Sequence, residues 1–176
     1  DGIRDRDVTG VQTCALPISM AKLPGSDVKL IRLNPEWSVE KAASTPIEQE
    51  LSIDDFKGKR LIITLPGAGG FCNKEFDLVK DNMDKFKAAG ADEVVVVVGT
   101  DILSNAGRGL PNLLQDVSQE FGNANKLTLE GVKSRYLNRS AIAVDANGEQ
   151  VIREDADLLG CRTIDGLVET AKKAFS

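Results

Sequence analysis

The apolar positions fall into short blocks of two distinct periods. Leu61-Ile-Ile-Thr-Leu65 and Val94 to Val98 are continuous apolar runs of strand length. Runs of that kind belong to strands buried on both faces, so both read as central strands. Between them Phe76, Val79, Met83 and Phe86 recur in steps of three, four and three, the spacing of one helix face, and Gly90 stops the pattern. Strand, helix and strand in that order predict a parallel pair joined by a right-handed crossover. Ser140-Ala-Ile-Ala-Val144 and Gln150-Val-Ile152 then flank Asn147-Gly148. That dipeptide is a strong signal for a tight hairpin, which makes the second pair antiparallel. A last helix begins at Thr163 and carries Ile164, Leu167, Val168 and Ala171 on one side, closing at Ala174-Phe175.

Weaker signals fill the rest. Asp27 to Leu33 alternates loosely and ends before Asn34-Pro35, which reads as an edge strand. The stretch holding Pro35 and Pro46 reads mostly as loop, and Ser52 is placed to cap a single helical turn through Phe56. Asp101 to Gly109 is polar and contains glycine, so a loop is expected there, with a short helix over Ser118 to Asn123. A βαβ unit followed by a ββα unit is the plan of the thioredoxin fold. The expected class is therefore α/β: a thioredoxin-like fold with a mixed β-sheet and helices on both faces, in one domain over residues 20–176.

Composition narrows the chemistry. The 176 residues are 41% apolar and 28% charged, enough for one core, and the net charge of −5 gives no basic field to attract phosphates or lipid surfaces. Neither nucleic acid nor membrane is an expected partner, and no apolar run approaches the roughly 20 residues of a membrane span. Histidine is absent, which removes Ser-His-Asp and Cys-His catalysis and most catalytic zinc sites. Neither metal nor cofactor is expected. Three cysteines, Cys14, Cys72 and Cys161, are too few and too scattered for a secreted disulfide framework. A reducing compartment follows as the expectation: the cytoplasm, or an organelle if a targeting peptide is missing from the start. Val8-Thr-Gly-Val-Gln-Thr-Cys-Ala-Leu-Pro-Ile18 looks like a translated sequencing adapter. A shortened secretory signal is the rival reading, but its apolar part is too brief and lacks a cleavage pattern, so residues 1–19 are set apart from the fold as a non-native segment.

Pro66-Gly-Ala-Gly-Gly-Phe-Cys72 joins the first central strand to the helix after it. This puts Cys72 at a helix N-terminus, where free amides and the positive end of the helix dipole favour thiolate over thiol. A small apolar residue in a strand-to-helix joint fits the local pattern equally well. Gly67-Ala-Gly69-Gly70 also invites a nucleotide-binding reading, yet the loop lacks the Gly-Lys-Ser/Thr of a Walker loop and has Cys72 where a dinucleotide turn places its third glycine.

Several separated motifs together resemble one family. Leu51-Ser-Ile-Asp-Asp-Phe-Lys-Gly-Lys-Arg-Leu-Ile-Ile-Thr-Leu-Pro-Gly-Ala68 followed by Cys72, then Leu113-Leu-Gln-Asp116 with Glu120-Phe-Gly122, and Asn138-Arg-Ser-Ala-Ile-Ala-Val-Asp145 with Gly148 are similar in order and spacing to peroxiredoxins. Within that redoxin superfamily the likeness is to the atypical two-cysteine, type-5-like class, over about residues 27–175. The resemblance implies a thiol peroxidase that reduces hydrogen peroxide or alkyl hydroperoxides and is recycled by thioredoxin or by glutathione and glutaredoxin, often as a homodimer. It makes Cys72 the peroxidatic cysteine, Arg139 the arginine that holds thiolate and peroxide, and Cys161 a resolving cysteine. Pro66, Gly67, Ala68, Gly69, Gly70 and Phe71 become the substrate-binding loop. Taken by themselves, Arg139 reads as a surface arginine at a strand start and Cys161 as a packing cysteine before the last helix. The loop departs from the family, which carries a Thr three residues before the cysteine; here Gly69 holds that spacing, the loop is one residue shorter, and the second proline is missing. The stretch 105–109 also lacks the tryptophan common in that part of the family. A catalytically impaired redox sensor or interaction module is thus the alternative to an active enzyme.

Overall fold

The computed structural model describes residues 21–67, 69–100, 102, 109–129 and 136–176. The adapter-like segment with Cys14, and the loop expected over 101–109 except for Ile102 and Gly109, lie outside the described residues.

The two apolar runs form β3 (Arg60–Leu65) and β4 (Glu93–Val98), paired in parallel from Arg60↔Glu93 to Leu65↔Val98. On the other side of β3 lies β6 (Ser140–Val144), antiparallel, and its hairpin partner β7 runs Gln150–Asp155. With β1 (Leu30–Leu33), β2 (Glu48–Leu51) and β5 (Leu113–Gln115), the sheet among the described residues has seven strands in the order β2-β1-β5-β4-β3-β6-β7. It is mixed and its parallel core sits at the centre, as the pattern required.

The flank differs from expectation in two ways. Strand β1 (Leu30–Leu33) is not an edge strand: β2 (Glu48–Leu51) pairs with it on one side and β5 (Leu113–Gln115) on the other. β2 is drawn from the end of the stretch read as loop. Its sequence Glu-Gln-Glu-Leu has one apolar residue, so its strand conformation comes from its ladder with β1 and leaves no hydrophobic signature. β5 is only three residues long and owes its place to parallel pairing with β4.

Side chains of β3 and β4 alternate between the two faces, and each face builds its own core. Leu61, Ile63, Leu65, Val94, Val96 and Val98 meet Phe76, Val79 and Phe86 from the helices after β3, with Leu167, Ala171 and Phe175 from the last helix. Ile62, Val95 and Val97 pack on the opposite side with Ile53, Phe56 and Phe121. Helices therefore cover both faces. The helix predicted between the strands is interrupted, giving α1 (Gly70–Asp81) and α2 (Met83–Ala88), with Asn82 at the break donating its side-chain Nδ2 to the Leu78 carbonyl. Apolar spacing could not show this, because Met83 and Phe86 continue the same stripe. α3 (Glu120–Ala124) and α4 (Ile164–Phe175) fall where expected; Thr163 caps α4 by accepting a hydrogen bond from the Gly166 amide at 3.1 Å. No helix among the described residues is long and apolar enough to cross a membrane.

Candidate active site

The end of β3 and the start of α1 bring the loop residues to the sheet's carboxyl edge. Gly67 has φ +95 and lies so close to Thr100 that a Cβ would stand 2.1 Å from its Oγ1, so only glycine fits. Gly69, at φ +91, precedes the first residue of α1, Gly70, and among the described residues no neighbour outside the adjoining chain lies within 4 Å of where either Cβ would point. Ala68 lies outside the described residues. Cys72 is the third residue of α1 and is 1% exposed, its sulfur turned inward under the helix.

That sulfur is met by a charged network. Arg139, just before β6, is also 1% exposed, which overturns its reading as a surface arginine. Its Nη2 donates to Cys72 Sγ at 3.2 Å, its Nε to the Leu158 carbonyl at 2.9 Å, and its Nη1 to Glu75 Oε2. Glu75 is wholly buried and also accepts from Arg162 Nε at 2.5 Å, while Arg162 Nη2 donates to the Thr64 carbonyl at 3.2 Å. Burial pushes the Arg162 guanidinium below the ordinary arginine range, and Glu75 opposes this by attraction.

Two guanidinium groups thus share one carboxylate. The set carries one surplus positive charge, and the Cys72 sulfur, hydrogen-bonded to Arg139, is a group within it that can become an anion. Sequence reasoning missed Glu75 and Arg162, although Glu75 left a signal. It stands three residues after Cys72, on the helix face that buries Cys72, Phe76 and Val79. A carboxylate in such a stripe needs a buried cation, because an unpaired one is too costly to keep.

Over this network opens a pocket of about 320 Å³ lined by Pro66, Gly69, Phe71, Leu129, Tyr136 and the Leu158–Leu159 pair, with Cys72 and Arg139 also in its wall. Gly67 and Gly70 shape the loop without lining that pocket. Cys161 is a free, half-buried thiol whose Sγ lies 3.5 Å from the Arg162 carbonyl, and it is not among the lining residues. The structure therefore unites Cys72, Arg139 and part of the loop, and puts Cys161 against Arg162, a member of the same network.

No protein-family model matches the chain, and no curated protein sequence matches it. Its architecture does match solved structures. Mycobacterium tuberculosis AhpC aligns over 89% of this chain and 96% of its own, with a TM-score of 0.67 and 16% identity. Reduced Prx3 from Vibrio vulnificus, in complex with hydrogen peroxide, gives 0.68 at 16% identity, covering 86% of this chain and 97% of that one. The reduced 2-Cys peroxiredoxin of Plasmodium vivax gives 0.59 at 16% identity over 70% of each chain. The chain has the thioredoxin-like fold of these structures.

Proposed function

We propose that this chain is a thiol peroxidase of the type-5-like, two-cysteine kind, with Cys72 as its peroxidatic residue. One observation carries the reading: a buried cysteine sulfur accepts a hydrogen bond from a buried arginine whose remaining bonds fix its orientation. A guanidinium so held cannot turn away, and its charge stabilises an anion first on sulfur and then on the leaving oxygen. In the step proposed, the Cys72 thiolate attacks the terminal oxygen of a hydroperoxide. The S–O bond forms as the O–O bond breaks, sulfur becomes a sulfenic acid, and the leaving oxyanion takes up the proton that the thiol gave to solvent on ionising.

Cys161 then attacks the sulfenic sulfur, water leaves, and a Cys72–Cys161 disulfide forms, to be reopened by thioredoxin or by glutathione and glutaredoxin. Because Cys72 is buried within the first turn of α1, this step requires that turn to open. The paired glycines before it, Gly69 and Gly70, lower the resistance to that motion.

Stopped-flow consumption of hydrogen peroxide by the full chain tests the reading. A second-order rate well above that of free cysteine is expected, abolished in Cys72→Ser and reduced by roughly a hundredfold in Arg139→Lys, because an ammonium cannot hold the sulfur, Glu75 and the Leu158 carbonyl together. A rate equal to that of free cysteine would discard it. A redox sensor or interaction module without turnover is the second reading, favoured by Gly69, which offers no hydroxyl to orient a peroxide. Slow oxidation of Cys72 with no catalytic consumption under a reducing system would select it.

A further inference from the structure

Gly69 brings no hydroxyl to the pocket over Cys72, so a side-chain hydrogen bond to a departing peroxide oxygen has to come from another part of the wall. Among the described residues that line it, polar side-chain atoms belong to Cys72, Arg139 and Tyr136 alone. Cys72 is the nucleophile. Arg139 already gives an N–H from each of its three nitrogens, to the Leu158 carbonyl, to Glu75 and to the Cys72 sulfur. Tyr136 is half-buried, and no described residue is hydrogen-bonded to its hydroxyl. The chain beside it is pinned from both sides. Leu137 is 1% exposed and forms an antiparallel bridge with Thr128, the Asn138 amide donates to the Leu127 carbonyl at 2.6 Å, and the Asn138 carbonyl accepts from the Thr64 hydroxyl at 2.7 Å. Leu129 and Tyr136 are the next residues beyond that bridge, and both enter the pocket wall. Thr64 lies on β3 and Arg139 stands just before β6, so the pairing that fixes the arginine also fixes the segment carrying the tyrosine.

We infer that Tyr136 is a second catalytic donor of this site, its hydroxyl donating a hydrogen bond to the peroxide oxygen that leaves. The inference rests on the peroxidase reading and adds to it the residue that takes the place of the absent loop hydroxyl. The reaction is Cys72–S⁻ plus ROOH plus a proton from solvent giving Cys72–SOH plus ROH. The S–O bond forms as the O–O bond breaks; sulfur loses two electrons and the peroxide gains them. Negative charge moves from the sulfur to the leaving oxygen, and the phenol answers that charge without giving up its own proton. A donor aimed at charge that develops only during the step lowers the barrier and leaves the resting thiolate as it was. That separates its role from that of Arg139, which touches the sulfur before any peroxide arrives.

Tyr136→Phe in the full chain deletes one oxygen and keeps the ring. Two rates at Cys72 are compared: stopped-flow consumption of hydrogen peroxide, and alkylation by iodoacetamide, in which the same thiolate expels iodide and no oxygen leaves. The peroxide rate is expected to fall by roughly ten- to a hundredfold, the loss of one donor to a developing anion, while alkylation stays within about twofold of the parent chain. Tyr136→Leu, which deletes the ring as well, is expected to lower the ratio of the two rates to the same extent. A parent chain faster than free cysteine whose Tyr136→Phe variant keeps the full peroxide rate, or loses both rates together, overturns the inference and leaves the peroxidase reading intact. A parent chain no faster than free cysteine overturns both.

Discussion

Glu75 holds the site together as a single carboxylate between two arginines. Its replacement by Gln keeps the shape and removes the charge, so Arg139 and Arg162 then lose the carboxylate they share. Breaking a buried pair in this way costs about 3 to 5 kcal/mol, a large part of the 5 to 15 kcal/mol that holds a typical domain folded. A matching drop in the urea midpoint is expected for Glu75→Gln; an unchanged midpoint would mean that the network is not under charge constraint. The loop glycines give a sharper contrast. Gly67→Ala drives a Cβ into Thr100 at positive φ, whereas Gly70→Ala meets no described neighbour and sits in a helix. The first is expected to destabilise by more than about 1 kcal/mol, and the second to stabilise by up to about 1 kcal/mol, read by thermal melting. Gly69 also explains why a hydroxyl is not easily restored there, since φ +91 disfavours a β-branched threonine even though the space is free.

At the scale of elements, the turn at Ile53–Asp55 links β2 to β3 and ties its own start through Asp55. The Asp55 carboxylate accepts from the Ser52 amide at 2.7 Å and from its hydroxyl at 3.0 Å. Those bonds hold Asp55 below the ordinary carboxylate range, the Ser52 backbone amide contributing most. A depressed folded value stabilises the native state in full above the unfolded carboxylate range, and that stability is lost as pH falls through the folded value. Asp55→Asn, which cannot be protonated, is therefore expected to shrink the loss of stability between neutral pH and a pH of about 3. Equal losses for the variant and the parent chain would show that the turn does not depend on this charge. The same scale shows where pattern reading succeeds. Thr163 and the hairpin glycine Gly148 are decided by neighbours within a few residues, and both stand where expected.

For the whole molecule, the described chain begins with residues that the sheet uses. Leu23 is 1% exposed, its amide donates to the Gly148 carbonyl, and the Gln150 amide donates to the Ala21 carbonyl. If residues 1–19 are a non-native segment, as their adapter-like sequence implies, their removal leaves the melting temperature unchanged. Removal through Leu23 strips a buried leucine and these hydrogen bonds, for which a loss of about 2 to 5 kcal/mol is expected. A large loss from the shorter truncation would show that the adapter-like residues belong to the fold.

What the sequence determined alone was everything governed by local period and local sterics: two doubly buried strands, an amphipathic stripe after the first, a glycine-turned hairpin, a capped last helix, and a cysteine at the mouth of a helix. Those signals survive in one dimension because each element's burial is written into its own spacing. The tertiary structure decided what depends on partners distant in sequence. β2 and β5 are strands because β1 and β4 lie beside them. Arg139 is a buried cation rather than a surface one because Glu75, 64 residues earlier, faces it, and Arg162 joins them across the strand end. Charge neutralisation in a dry core acts over ångströms of space and is indifferent to separation along the chain, which is why only the folded molecule could assemble the site.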